Sequence, residues 1–139
     1  MYVVDASVWV SRFVRPDVHH QPSYSWLQRV IGRGEIIVAP AVLLPEVAGA
    51  ISRRTAQSGP AARAVALVEQ IPSLRLVVVD DTLSGMAAEL AGHLRLKSTD
   101  SLYVAVAQRA GFTLVTWDQQ QLERGRTVAA AVTPQEMPQ

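Results

Sequence analysis

Four carboxylates in this chain fall where an acid can do chemistry. Asp5 follows the apolar run "YVV", and Asp118 follows "LVTW". Glu46 follows "VLLP", and Asp100 opens "DSLYVAVAQRAG". Taken singly, each has a plain role. An acid in the first turn of a helix complements the macrodipole, and an aspartate after a strand commonly begins a turn. Asp80 and Asp81, where a strand gives way to a helix, keep that plain role. Four acids gathered at one edge of a fold are different. Confined carboxylates repel, and the pKa of some must rise unless a cation compensates. A hard divalent ion such as Mg2+ or Mn2+ takes oxygen ligands in octahedral geometry and supplies that compensation. With these four set against a cation, thirteen basic side chains face eight acids, a net charge of +5. An acidic metal pocket in a basic surface suits a polyanion. The metal holds the scissile phosphate and arginines hold the flanking ones.

Whether the four acids meet depends on the elements that carry them. The runs 2–5, 35–39, 74–80 and 112–116 read as strands, with 127–132 as a fifth. They are short Val/Ile/Leu stretches without alternation, the pattern of strands buried on both faces. The spacing predicts helices over 7–14 with Ser7 as N-cap, 23–31, 45–57 with Pro45 in the first turn, and 61–71. Two more follow over 81–96, capped by Asp81, and 99–110, closed by Gly111. Residues 15–22 read as a loop, "SGP" at 58–60 as a break, and 132–139 as a loose tail. Strands that alternate with helices define an α/β fold, a parallel sheet covered on both faces. In such a sheet the crevice opens beyond the carboxyl ends of the strands. Asp5 and Asp118 fall there. The helix at 99–110 runs antiparallel to the strands, which brings Asp100 to the same edge.

Composition narrows the class. The 139 residues fit one domain, 1–139, and a 49% hydrophobic fraction is too high for disorder. The absence of cysteine excludes disulfides, thiolate metal sites and a cysteine nucleophile. The apolar run 36–45 is too short for a membrane span, and Asp5 interrupts the N-terminal one, so the expectation is a cytoplasmic protein without a signal peptide. His19 and His20 are adjacent in the loop and His93 stands alone, so no zinc-type HxxxH pair exists. Twelve of the thirteen basic residues are Arg. Arg12 and Arg15, beyond the first helix, are candidate phosphate contacts, and Arg53 and Arg54 are either the same or a solvated helix end. Trp117, between Thr116 and Asp118, is the tryptophan best placed to stack on a base.

The blocks "VVDAS", "PEV", "TDSLYVAVAQRAG" and "LVTWD", in that order, resemble the PIN domain, and more narrowly the VapC-type toxin ribonucleases of bacterial toxin–antitoxin pairs. The likeness runs from residue 2 to about residue 132. It implies a three-layer α/β/α sandwich with about five parallel strands in an order of the 3-2-1-4-5 kind. It implies a Mg2+- or Mn2+-dependent endoribonuclease that leaves a 3′-hydroxyl and a 5′-phosphate. Its acids carry over onto Asp5, Glu46, Asp100 and Asp118, with Ser7 and Thr116 orienting them. It further implies an RNA substrate, a VapB-type antitoxin whose tail enters the acidic site, and a homodimer, for which the helix at 81–96 offers an apolar face. Pro45 beside Glu46 departs from the pattern and bears on where that helix starts.

Two other readings stay open. An aspartyl-phosphate phosphotransfer domain also places Asp after its first strand, but it needs a second acid close by, and here Ala6 and Ser7 follow. A PIN fold that binds RNA or a partner without cutting is the other.

Overall fold

The computed structural model describes residues 1–138. Its centre is a parallel sheet of five strands in the order β3-β2-β1-β4-β5, as the resemblance implied. The strands are β1 (Tyr2–Val4), β2 (Ile37–Pro40), β3 (Leu74–Val77), β4 (Thr113–Val115) and β5 (Ala131–Val132). β1, β2 and β4 are buried on both faces, which explains their unbroken apolar runs. β3, at the edge, departs from that expectation: Arg75 and Leu76 are exposed.

The helices are α1 (Ala6–Phe13), α2 (His20–Gly32), α3 (Leu43–Thr55), α4 (Ser58–Glu69), α5 (Asp81–Leu94), α6 (Ser98–Ala110) and α7 (Gln119–Gly125). α1 packs on α2 and α3, and α3 on α4, to form one outer layer. α5 packs on α6, and α6 packs on α7 and on β1, β2 and β4, to form the other. The chain leaves β1 toward one layer and reaches β4 from the other, so β1 and β4 flank the switch point.

Several boundaries differ from expectation for local reasons. The cap of α1 is Asp5, whose Oδ2 accepts from the Ser7 N–H at 3.1 Å, so Ser7 is the receiver and not the cap. Likewise Asp80, not Asp81, caps α5, accepting from the Leu83 N–H at 2.8 Å. "SGP" opens α4 instead of breaking the chain, because a proline in the first turn forfeits no helical hydrogen bond. α2 starts at His20, inside the expected loop, with Pro22 in its first turn. α7 was not foreseen; it takes up residues 119–125 and leaves β5 only Ala131 and Val132. Residues 133–137, within the expected loose tail, are held in place. Thr133 and Glu136 form a reciprocal capping box over a 3-10 turn, Arg126 pairs with Glu136 at 2.9 Å, and Met137 packs on the core. A helix cap and an ion pair anchor these residues, and neither leaves an apolar pattern in sequence. Among the described residues no helix is long and apolar enough to cross a membrane.

Candidate active site

The parallel register places the first acid. Val4 pairs with Val115, and the Asp5 N–H continues the ladder by donating to the Val115 carbonyl at 3.0 Å. Asp5 and Thr116 thus leave the sheet side by side. The buried Thr116 hydroxyl donates to Asp5 Oδ2 at 3.2 Å and accepts from the Asp118 N–H at 3.0 Å. Ser7 closes the cluster: its Oγ lies 3.4 Å from Thr116 Oγ1 and accepts from the Trp117 N–H at 3.0 Å. Ser7 and Thr116 therefore touch the acids they were expected to orient.

Asp118 caps α7, with Oδ1 accepting from the Gln121 N–H at 2.7 Å. The same Gln121, fully buried, donates its Nε2 to the Asp100 carbonyl at 3.1 Å. Gln121 ties the start of α7 to the start of α6, and so Asp118 to Asp100. Sequence reasoning missed it because α7 was missed. α3 begins at Leu43, two residues before Pro45, so the proline sits harmlessly inside the first turn and Glu46 points inward. There Glu46 Oε1 accepts from the hydroxyl of Tyr103 at 2.8 Å. Tyr103 is fully buried one turn beyond Asp100; its signal was its fixed place in the "TDSLY" block.

Asp5, Glu46, Asp100 and Asp118 each stand at the N-terminus of a different helix, where the macrodipole favours negative charge. For Asp5 and Asp118 the side chain is also the helix cap, and the cap bond aims the carboxylate; Glu46 and Asp100 lie in the first turns of α3 and α6 without a cap bond. Dipoles do not cancel the crowding. Burial and the Asp5, Asp118 and Glu46 charges push the Asp100 carboxyl up to about 7. Burial raises Asp5, with the Asp118 charge adding to it against the Ser7 and Thr116 hydrogen bonds. Burial and Asp5 raise Glu46, against the Tyr103 hydrogen bond. Burial, with Asp5 and Glu46, keeps the Tyr103 hydroxyl protonated. No positive side chain is ion-paired with any of the four among the described residues.

This donor set fits a hard cation by its chemistry: all oxygen, partly buried and short of positive charge. Among the described residues no three Asp, Glu or His side chains stand close enough to enclose an ion by themselves.

The structure places the two pairs of arginines in different cavities. Arg12 and Arg15 line a cavity of about 590 Å³ that includes none of the four acids. The Arg12 guanidinium lies 5.3 Å from the centre of the Tyr24 ring, and its enclosed Nη1 has no hydrogen-bond partner among the described residues. Arg53 and Arg54 instead share a pocket of about 330 Å³ with Ser7 and Glu46. Helix phase does not separate them, since Arg12 follows Asp5 and Arg53 follows Glu46 by the same two turns; packing does, with Arg12 drawn against Tyr24 and Gln28 of α2 and Arg53 lining the Glu46 pocket.

A doubly wound α/β sheet whose switch-point edge carries four coupled acids defines the class of protein. The model of the PIN domain family matches residues 2–126, and the chain belongs to that family. No curated protein matches it in sequence. Among solved structures it is similar to VapC20 of Mycobacterium tuberculosis, a sarcin-ricin loop cleaving toxin. The TM-score is 0.71 and the identity 21%, over 87% of this chain and 92% of that one. It is similar to PAE2754 of Pyrobaculum aerophilum, with a TM-score of 0.71 and 20% identity over 96% of this chain and 89% of that one. It is also similar to VapBC2 of Rickettsia felis, solved bound to a DNA fragment from their promoter. There the TM-score is 0.69 and the identity 14%, over 95% and 97% of the two chains.

Proposed function

We propose that this chain is a Mg2+- or Mn2+-dependent endoribonuclease and the toxin of a toxin–antitoxin pair. One observation carries the reading: four carboxylates are brought together at the sheet edge, at a cost visible in the raised pKa of Asp100, which the Lys97 charge lowers without offsetting, and none of the four is ion-paired among the described residues. Stability alone gives no reason for that arrangement. A bound cation would supply charge for the phosphate and an acidified water for its hydrolysis. Asp5 and Asp100 would hold it directly, and Asp118 and Glu46 directly or through water. Thr116 fixes Asp5 and Asp118 relative to each other, and Tyr103 fixes Glu46. Cleavage leaves a 3′-hydroxyl and a 5′-phosphate.

The family supplies the biological setting. VapC20 is a sarcin-ricin loop cleaving toxin, and VapBC2 was solved bound to a DNA fragment from their promoter. By analogy this chain works in the cytoplasm and is silenced by a VapB-type antitoxin whose arginine enters the acidic pocket. It forms a homodimer through the apolar depression that Val79, Ala88, Ala91 and Leu102 line between α5 and α6.

Expression of the chain with and without the short gene beside it, followed by mapping of RNA ends, tests the reading. Arrested growth with new 5′-phosphate ends, both lost in Asp100→Asn, supports it. A purified protein that leaves RNA intact in Mn2+ sinks it.

A further inference from the structure

The pocket shared by Ser7, Glu46, Arg53 and Arg54 holds features the carboxylate chemistry does not use. The His19 imidazole is stacked on the Trp117 indole, with centroids 3.9 Å apart and planes 7° from parallel. Both rings line the pocket and neither is buried. The stack is held from behind. Trp117 donates its Nε1–H to Ser23 Oγ at 2.7 Å, and Ser23 is bonded in turn to buried Ser11 at 2.6 Å. The His19 N–H donates to Asp17 Oδ1 at 2.7 Å, and Arg54 pairs with the other oxygen of Asp17. The rest of the lining includes the small apolar residues Ala6, Val10 and Ala50.

Arg53 is the charged group left over. Arg54 is committed to Asp17, whereas Arg53 has no ion-pair partner among the described residues. Its guanidinium folds back over Gly49, where a Cβ would come within 3.0 Å of Nη1. The missing side chain at Gly49 lets Arg53 lie along α3 toward Glu46. An aromatic face, an apolar floor and a free guanidinium, in one pocket that reaches Glu46, are what one nucleotide needs. At about 330 Å³ the pocket is at the small end of ligand sites, room for one such unit.

We propose that this pocket is a subsite for the nucleotide next to the scissile phosphate, its base on the His19–Trp117 stack and its phosphate on Arg53. The assignment rests on the nuclease reading for the word "scissile" and on the pocket itself for the nucleotide. RNA is favoured over a peptide because the stacked rings offer a flat face for a base and the unpaired Arg53 a partner for a phosphate, whereas an arginine-bearing tail would meet like charge at Arg53.

Tryptophan emission tests this, since Trp9 and Trp26 are buried and Trp117 alone is reachable. A short randomised RNA is titrated into Asp100→Asn, which keeps it uncut, and inorganic polyphosphate serves as a base-free polyanion. The expected result is saturable quenching by RNA and none by polyphosphate. His19→Ala and Arg53→Gln should each weaken RNA binding about tenfold. Gly49→Ala should weaken it by displacing Arg53, without lowering the melting temperature, because alanine is the better helix former. RNA that binds without quenching, or variants that lose only a protein partner, would overturn the subsite, as would failure to bind RNA at all. Wild-type cleavage in Mn2+ is scored in parallel. Cleavage without quenching removes the subsite and leaves the nuclease; quenching without cleavage does the reverse.

Discussion

The Tyr103 hydroxyl donates to Glu46 Oε1 at 2.8 Å, linking α6 to α3 from the two different helical layers. This bond sets both the direction of Glu46 and part of its charge. Tyr103→Phe removes the donor and leaves a half-buried carboxylate with one partner fewer. The expected outcome is a loss of about 1–2 kcal/mol in urea unfolding. Because the bond lowers the Glu46 pKa, its removal raises it further, and the acid limb of the cleavage–pH profile moves to higher pH. An unmoved limb would show that Glu46 does not act as an anion.

Stability should fall with pH where most acids would make it rise. In the folded chain Asp100 holds its proton up to about 7, while in the unfolded chain it releases it near 3.8. Between those values the folded state binds more protons, so stability declines as pH rises through that window. Asp5 and Glu46, also raised, add in the same direction. A cation displaces those protons. Mn2+ should therefore raise the melting temperature more at about pH 8 than at about pH 5. Equal gains at both would argue against metal at these acids.

Asp5 has two jobs that substitution can separate. Asp5→Asn keeps an oxygen for the Ser7 N–H cap and deletes a buried charge. It should melt at or above the wild type without cation and cleave no RNA. Asp5→Ala loses the cap as well, at a cost of about 1 kcal/mol. If Asp5→Asn keeps its activity, Asp5 is a cap and nothing more.

Gln121 is buried behind the acids and holds the start of α6 against the start of α7. Gln121→Leu leaves the Asp100 carbonyl without its donor, a loss of about 1–3 kcal/mol. A positioning role predicts a further about 10–100-fold drop in cleavage, measured where both proteins are fully folded, and weaker Mn2+ affinity. A merely structural role predicts lower stability with both of those unchanged.

The second copy can be tested separately. Ala88 is exposed on α5 beside Val79 and Leu102. Ala88→Arg should convert a dimer in light scattering to a monomer and leave the melting profile of the single chain alone. A wild type that runs as a monomer ends the proposal.

Much of this was legible in the chain itself. Short strands of Val, Ile and Leu without alternation point to burial on both faces, which holds for β1, β2 and β4 and fails at the edge strand β3, and that pattern indicated a parallel sheet with helices on each side. Acids directly after strands one and four, and in the first turns of the helices at Glu46 and Asp100, then had one edge to share. The sequence could not show what aims them. Asp5 meets Thr116 because of a strand register, Glu46 meets Tyr103 across two layers, and Asp100 meets Gln121 through a short polar helix that lacks a periodic apolar face. Nor could it rank the arginines: Arg15 stands nearer to Asp5 in the chain than Arg53 does, but α1 carries Arg12 and Arg15 away while α3 brings Arg53 back beside Glu46. Residue type and local periodicity act over a few positions and are readable along the chain. Contacts between residues far apart in sequence arise only when the layers close on the sheet, and those contacts decide which way each acid points.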